Sequence, residues 1–261
     1  MGIKLLKIRG ERLNERKKSF DYKGYWIRRH KQFNNSMASV GIKSFSEEAN
    51  KLSYALVKEQ FNKSLNVTGI RLENKEVLDA GAGIGEYMSF LMDKKARVSA
   101  VDISPDAIAK LIKTYPGIKG KALGLDELIN NYKRNQFYLT TSFDVLYHIT
   151  DKEDWQEAIR NLAFVTNNYL VLHERFPIFK SIVSSRHVKC RTRSEVAKEM
   201  QKNGFFEIAR IPTSVIRRFP FFRLFNIAPS FFYKLDKSLI DCEFSNRIGG
   251  SFIKIFEKRQ D

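Results

Sequence analysis

The feature that most constrains this chain is the run Val77-Leu78-Asp79-Ala80-Gly81-Ala82-Gly83-Ile84-Gly85, followed one helix later by Val101-Asp102. A short apolar run entering a glycine-rich turn reads as a strand handing over to a helix in an open α/β sheet. Gly81 and Gly83 let the backbone turn tightly and let a ligand approach without side-chain obstruction. Asp79 falls at the carboxyl end of the first strand, where open α/β sheets bind ligands. It is suited to bond a ligand amine through water or to hold the turn. Asp102 ends the second strand at about the separation at which dinucleotide folds place their ribose-binding acid.

The pattern around this motif extends the same architecture. Strands are expected over residues 77–80, 97–102, 119–123, 143–147, 168–173, 205–211 and 251–256, with helices over 86–93, 155–165 and 194–203. Ser104-Pro105-Asp106 opens a further helix, because proline costs little in a first turn. Strands alternating with helices predict a seven-stranded, mostly parallel Rossmann-like sheet covered on both faces, with the last two strands antiparallel. Ahead of it, Phe45, Ala49, Leu52, Ala55, Leu56 and Phe61 recur at helical spacing, and Ser46-Glu47-Glu48 suits a helix start. The expected organisation is a helical extension and acceptor lid over 1–70, a ligand-binding core over 71–211, a basic-aromatic insertion over 212–250, and a terminal strand over 251–261.

Composition narrows the partners. The chain has 261 residues, 43% hydrophobic, enough for one α/β domain with additions or two small domains. Its two cysteines, Cys190 and Cys242, exclude a disulfide scaffold and fit a reducing, cytoplasmic compartment. Residues 1–18 are basic without the apolar run of a signal peptide, and no window is apolar enough to span a bilayer. With 46 Lys and Arg against 29 Asp and Glu, the formal charge is +17. That charge favours nucleic acid, phosphorylated small molecules or an anionic membrane surface; a lysine-rich solvated surface is the plainer account.

A nicotinamide cofactor is the first competitor for the glycine turn. Its fingerprint needs a third glycine for close helix packing. Counting two residues past Gly83 gives Gly85, but Met88 occupies the next candidate position, and Asp79 would lie awkwardly beside two phosphates.

The run 77–85 resembles motif I of class I S-adenosylmethionine-dependent methyltransferases. Val101-Asp102-Ile103-Ser104 resembles the acidic motif that follows, and 143–149 resembles the fourth strand and its exit. The resemblance covers about residues 70–211 plus the terminal strand pair. It implies that Asp79, Gly81, Ala82 and Gly83 lie near the methionine part of S-adenosyl-L-methionine, that Asp102 takes the ribose hydroxyls, and that Ile103 packs on adenine. The adenine-contacting acid after strand three falls near Asp126, in a segment that departs from the clearest family form.

Methyl transfer to oxygen also needs a proton removed, and His148, adjacent to the expected site, is the candidate general base. Packing and loop anchoring is its other role. Tyr147 either lines the donor pocket or belongs to the core. Asp151 and Asp154 either orient His148 or cap the helix that follows. His173 and Glu174 are structural or touch substrate; with no diagnostic spacing, metal-independent transfer is preferred. Tyr25 and Trp26 form an acceptor lid or tie the preamble down, and Arg28, Arg29, His30 and Lys31 contact an anion or solvent. Arg186, His187, Lys189, Arg191 and Arg193, with Arg217, Arg218 and Arg223, form a candidate anion rim. The interleaved phenylalanines suit base stacking, membrane contact or a small lid.

The segment 146–149 lacks the Pro-Pro-aromatic signature of nitrogen-directed nucleic-acid enzymes, and neither cysteine follows a relevant strand as RNA carbon methylation needs. A weaker likeness to small-molecule and glycan O-methyltransferases gives the favoured function: methylation of a hydroxyl on a small molecule or glycan, which the charge admits as an anion. RNA methylation and a non-catalytic cofactor-binding partner protein are the alternatives.

Overall fold

The computed structural model describes residues 20–216, 226–241 and 250–259. Cys242, Arg217, Arg218, Arg223 and the phenylalanines between them lie outside the described residues, as do residues 1–18. The chain runs α1 (Tyr22–Gln32), α2 (Met37–Val40), α3 (Glu47–Thr68), β1 (Glu76–Ala80), α4 (Met88–Asp93), β2 (Arg97–Asp102), α5 (Pro105–Thr114), β3 (Lys119–Ala122), α6 (Leu128–Asn131), β4 (Phe137–Phe143), α7 (Lys152–Val165), β5 (Thr166–Phe176), β6 (Ile182–Ser185), β7 (Val188–Cys190), α8 (Arg193–Lys202), β8 (Phe205–Ser214), α9 (Pro229–Ile240) and β9 (Gly250–Lys258).

Seven strands form one sheet in the order β3-β2-β1-β4-β5-β9-β8. β1 to β5 pair in parallel, and β9 inserts antiparallel between β5 and β8. Because successive strand residues point to opposite faces, Leu78, Leu172 and Phe256 pack with Trp155, Ile159 and Leu162 of α7 on one side. Val77, Val171 and Ile255 pack with Phe61 and Leu65 of α3 and Leu111 of α5 on the other. The order reverses at β1, with β2 on one side and β4 on the other. The crevice above that reversal is where ligands enter open sheets.

Serine caps α3 as its sequence requires: Ser46 accepts from the Ala49 amide, and Gly69 closes the helix at φ +69°. The buried stripe is Ala49, Asn50, Ser53, Leu56, Val57, Gln60, Phe61, Ser64 and Leu65, while Ala55 faces solvent. Small polar residues therefore share the inner face, and Ser64 satisfies its hydroxyl on the Phe61 carbonyl at 2.7 Å.

The fourth strand differs from the expected 143–147. It runs over Phe137–Phe143, so 144–148 is its exit loop. Three consecutive polar residues, Thr140, Thr141 and Ser142, hide the strand from a hydrophobicity reading, yet all are buried. Two of them face hydroxyl or carboxyl partners: Thr140 with Thr166 at 2.7 Å, and Thr141 with Asp79 at 2.7 Å. The β6–β7 hairpin was not anticipated either. Among the described residues no helix is long and apolar enough to cross a membrane.

Candidate active site

The floor of the site is the β1 exit. The Gly81 and Ala82 amides both donate to the Val101 carbonyl, at 2.8 and 2.9 Å, which binds the turn to β2. Gly81 adopts φ +88°, a conformation that side chains disfavour. A Cβ there would lie 2.3 Å from a Val145 methyl group. Gly81→Ala is accordingly expected to cost about 2–4 kcal/mol through backbone strain and overpacking against a stiff β-branched neighbour. Thermal unfolding of the variant checks this. The following helix, α4, starts two residues later than expected, at Met88, leaving Glu86 and Tyr87 in the turn.

Asp102 is held rigidly. One carboxylate oxygen accepts from the Gly83 amide at 2.8 Å and the other from the Ser104 amide at 2.9 Å. Each oxygen keeps a second acceptor direction for a further donor. Burial raises this carboxyl's affinity for its proton, against the opposing influence of His30 and the backbone amides.

Asp79 is buried beside it. Its Oδ1 accepts from the Thr141 hydroxyl, while Oδ2 is buried with no hydrogen-bond partner among the described residues. Burial pushes this carboxyl up to about 6. An orphaned buried acceptor of this kind is satisfied by a ligand's N–H donors, so the residues fit the amino group of an amino-acid-bearing cofactor. Binding an ammonium there favours the ionised form. Cofactor affinity is therefore expected to weaken as pH falls through 6, with proton release on binding below that pH. Calorimetry in two buffers of different ionisation enthalpy measures the released proton, which Asp79→Asn should abolish. Without ligand the sign reverses: the raised carboxyl stabilises the fold below about pH 4, and that contribution is lost as pH rises through 6.

A cavity of about 940 Å³, counting its open mouth, joins these groups. Asp79, Gly81, Ala82, Gly83, Asp102, Ile103 and His148 all line it. Two candidates do not. Asp126 pairs with Lys23 at 2.6 Å, and Leu123, Gly124 and Leu125 line the wall instead. Tyr147 is half-buried behind the wall. Its amide donates to Glu174 and its ring centroid lies 4.2 Å from that of His148.

His148 sits on a short turn, Leu146–His148. Its Nδ1 lies 2.7 Å from the His187 carbonyl oxygen. A carbonyl only accepts, so Nδ1 carries the hydrogen and Nε2 of the neutral ring is the acceptor. Burial pushes the imidazole down to about 3. Asp151 does not orient the ring; it caps α7, accepting from the Glu153 and Asp154 amides.

The roof comes from the N-terminal helices. Tyr22, Trp26 and His30 of α1, Val40 of α2 and Tyr54 of α3 line the cavity. Trp26 meets His148 edge-on, with centroids 4.6 Å apart, and Tyr25 stacks on His187 at 4.7 Å. Lys110 fastens the loop after α1 by bonding the Asn35 carbonyl at 2.6 Å, and the Asn35 amide group bonds the Asp106 carbonyl.

Much of the supposed anion rim has internal work. Arg191 donates to the carbonyls of Ile149, Thr150 and Asp151 and lies 4.3 Å over the Trp155 ring. Arg193 covers Phe252, and buried Arg29 donates to the Ala38 and Gly41 carbonyls. Arg28 pairs with Asp21 at the surface. His173 is buried, bonded to Asp144 at 3.1 Å and Thr213 at 2.9 Å. Glu174 is pushed up to about 8, mainly by burial and then by Asp144. Among the described residues no group of three His, Cys, Asp or Glu side chains is placed to hold a metal ion. Sequence reasoning missed Asp144, Tyr22, Val40 and Tyr54 as lining residues. Asp144 was hidden because it had been placed inside the fourth strand.

A parallel sheet reversing at a glycine turn, with an acid ending the second strand, is the arrangement of the class I methyltransferase fold, and its residues fit S-adenosylmethionine. Residues 77–168 match the family of methyltransferase domains. The fold is shared with magnesium protoporphyrin IX methyltransferase of Synechocystis, solved with bound S-adenosylmethionine. There the TM-score is 0.61 at 17% identity, over 93% of this chain and 99% of that one. It is shared also with the 1,6-didemethyltoxoflavin-N1-methyltransferase of Burkholderia thailandensis, with TM-score 0.55 and 13% identity, over 92% and 90%. In sequence, 89 residues are 29% identical to ribosomal RNA small subunit methyltransferase A of Flavobacterium johnsoniae. That match spans 34% of this chain and about a third, 33%, of the relative.

Proposed function

We propose that this chain transfers the methyl group of S-adenosylmethionine to a hydroxyl on a small molecule or glycan. The observation that carries the reading is the cavity itself: the donor turn, Asp102 and His148 share one aromatic-walled space that α1 roofs over. Such a space suits a compact acceptor better than a folded RNA.

The cofactor supplies an electrophilic methyl group on a sulfonium. Asp79 would receive its amino group, Asp102 its ribose hydroxyls, and Ile103 would pack against its adenine. His148 Nε2 would take the proton of the acceptor's hydroxyl as its oxygen receives the methyl group. The products are a methyl ether and S-adenosylhomocysteine. A ring of such low basicity takes the proton during attack, as negative charge leaves the oxygen, rather than forming an alkoxide beforehand. The roof excludes water and holds the reacting atoms in register, which supplies much of the rate.

RNA methylation is the second reading, favoured by the +17 charge and the ribosomal RNA methyltransferase match. Incubation with methyl-tritiated cofactor and either a hydroxylated small-molecule and oligosaccharide panel or total RNA separates the two. Label in the small-molecule fraction is expected. Label confined to RNA, with binding that weakens steeply with salt, selects the second reading. Cofactor binding with no label in any fraction selects a non-catalytic role.

A further inference from the structure

A carboxyl outside the cavity lining grips the turn that carries His148. Glu174 lies on β5, 2% exposed, and is not one of the residues that line the cavity. Burying an acid is costly unless a partner is gained in exchange. Here Oε1 accepts from the Tyr147 amide at 2.9 Å, one residue before His148. An apolar residue would fill a sheet interior at lower cost, so the acceptor oxygen is what this position supplies.

The turn Leu146–His148 has little rigidity of its own. The His148 amide closes it on the Val145 carbonyl at 2.9 Å, and the Ile149 amide on the Leu146 carbonyl at 3.1 Å. Bonds of this short span have poor geometry. Contacts from elsewhere therefore decide where the ring sits. Glu174 takes the amide before His148. Arg191 donates to the carbonyls of Ile149, Thr150 and Asp151 just after it. The His187 carbonyl takes the hydrogen of the ring's Nδ1. His187 and Arg191 flank β7, so the ring and the loop beyond it are held from the hairpin. Glu174 ties the near side of the turn to the central sheet. Misplacing a reacting group by about 1 Å costs roughly 100-fold in rate, which gives such a brace its value.

We propose that Glu174 is a positioning residue for methyl transfer. It orients the Leu146–His148 turn so that Nδ1 of His148 reaches the His187 carbonyl and Nε2 is left for the acceptor's hydroxyl. This rests on the methyl-transfer reading and adds what holds its proton acceptor in place.

The test follows the His148 ring by NMR in the whole chain, nitrogen-labelled at histidine and loaded with S-adenosylhomocysteine. The chain has four histidines, and His148→Ala identifies the signals. Wild type should show one tautomer, with its hydrogen on Nδ1. Glu174→Leu keeps bulk but removes the acceptor. The Nδ1 hydrogen should then exchange with solvent at least about tenfold faster, as loss of one buried hydrogen bond allows, and the second tautomer should appear. Glu174→Gln keeps an oxygen for the Tyr147 amide and should restore the wild-type signals. Unchanged S-adenosylhomocysteine affinity in both variants verifies folding. A carboxyl that served stability alone would move the melting temperature and not the ring. Wild-type ring signals in Glu174→Leu, or a Gln variant that behaves like Leu, overturn the inference. If Glu174→Leu does not fold, wild type decides: the Tyr147 amide should be protected from exchange, and exchange as fast as that of an open loop overturns the inference. Failure of the methyl-transfer reading shows elsewhere, as undiminished turnover in His148→Ala, and leaves the ring signals as they are.

Discussion

Replacing His148 by alanine is expected to lower kcat by about 10²–10⁴-fold, the usual worth of a positioned proton acceptor, with affinity for S-adenosylmethionine nearly unchanged. The argument is geometric. The His187 carbonyl fixes Nδ1 as the donor, so the only acceptor the ring offers is Nε2. Nothing in the donor half of the cavity depends on that nitrogen. A merely structural histidine gives a different pattern: alanine would loosen the Trp26 contact, lower the melting temperature and raise KM, and leave kcat near wild type. Single-turnover rates at saturating acceptor distinguish the two.

The pH dependence sharpens the same test. Burial holds the ring neutral down to about pH 3, so His148 should give the wild-type rate no acid limb near 6.5. Stability is linked with a definite sign. The unfolded chain protonates this histidine near its ordinary value and the folded chain does not. The contribution is therefore fully present above about pH 6.5 and is lost as pH falls toward 3. Denaturant unfolding at pH 8 and pH 5 should show a smaller difference in the alanine variant than in wild type.

Replacing Asp102 by alanine is expected to weaken S-adenosylmethionine binding by at least about 100-fold. Hydrogen bonds to a charged group contribute about 1.5–3 kcal/mol each, and two ribose hydroxyls are lost together. The Gly83 and Ser104 amides also lose the acceptor that holds them, so the floor of the site loosens. Asp102→Asn keeps the shape but puts an NH2 group against one backbone N–H, and should fall between. Calorimetric titration with S-adenosylmethionine, with NAD as control, reads both variants. Wild-type affinity in the alanine variant would remove Asp102 from the site.

The parts of this arrangement that could be read from sequence are local ones. The glycine turn, Asp79 and Asp102 announce themselves because strand, turn and acid follow one another within a single β-α-β unit. Ser46 was legible as a helix start for the same reason. The β4 register was not, because Thr140 and Thr141 satisfy their hydroxyls through residues far away in sequence. That error displaced Asp144 from view and left Tyr147 looking like a wall residue. Asp126 sits one residue past the lining segment, on the short turn Leu125–Glu127. Arg191 looked like part of a surface cluster because nothing local reveals that three carbonyls of the 149–151 loop surround its guanidinium. The roof was only half visible: Trp26 stood out as an aromatic, whereas the packing of Val40 over Gly83 depends on tertiary docking.

That last contact has a bearing on how the protein works through a cycle. A Cβ at Gly83 would sit 2.7 Å from a Val40 methyl group, so the segment overhead rests directly on the donor turn. Polar contacts such as Lys23–Asp126 and Lys110–Asn35 fasten that roof over whatever the turn binds. The same enclosure keeps an activated methyl group from being squandered on water between visits of its intended recipient.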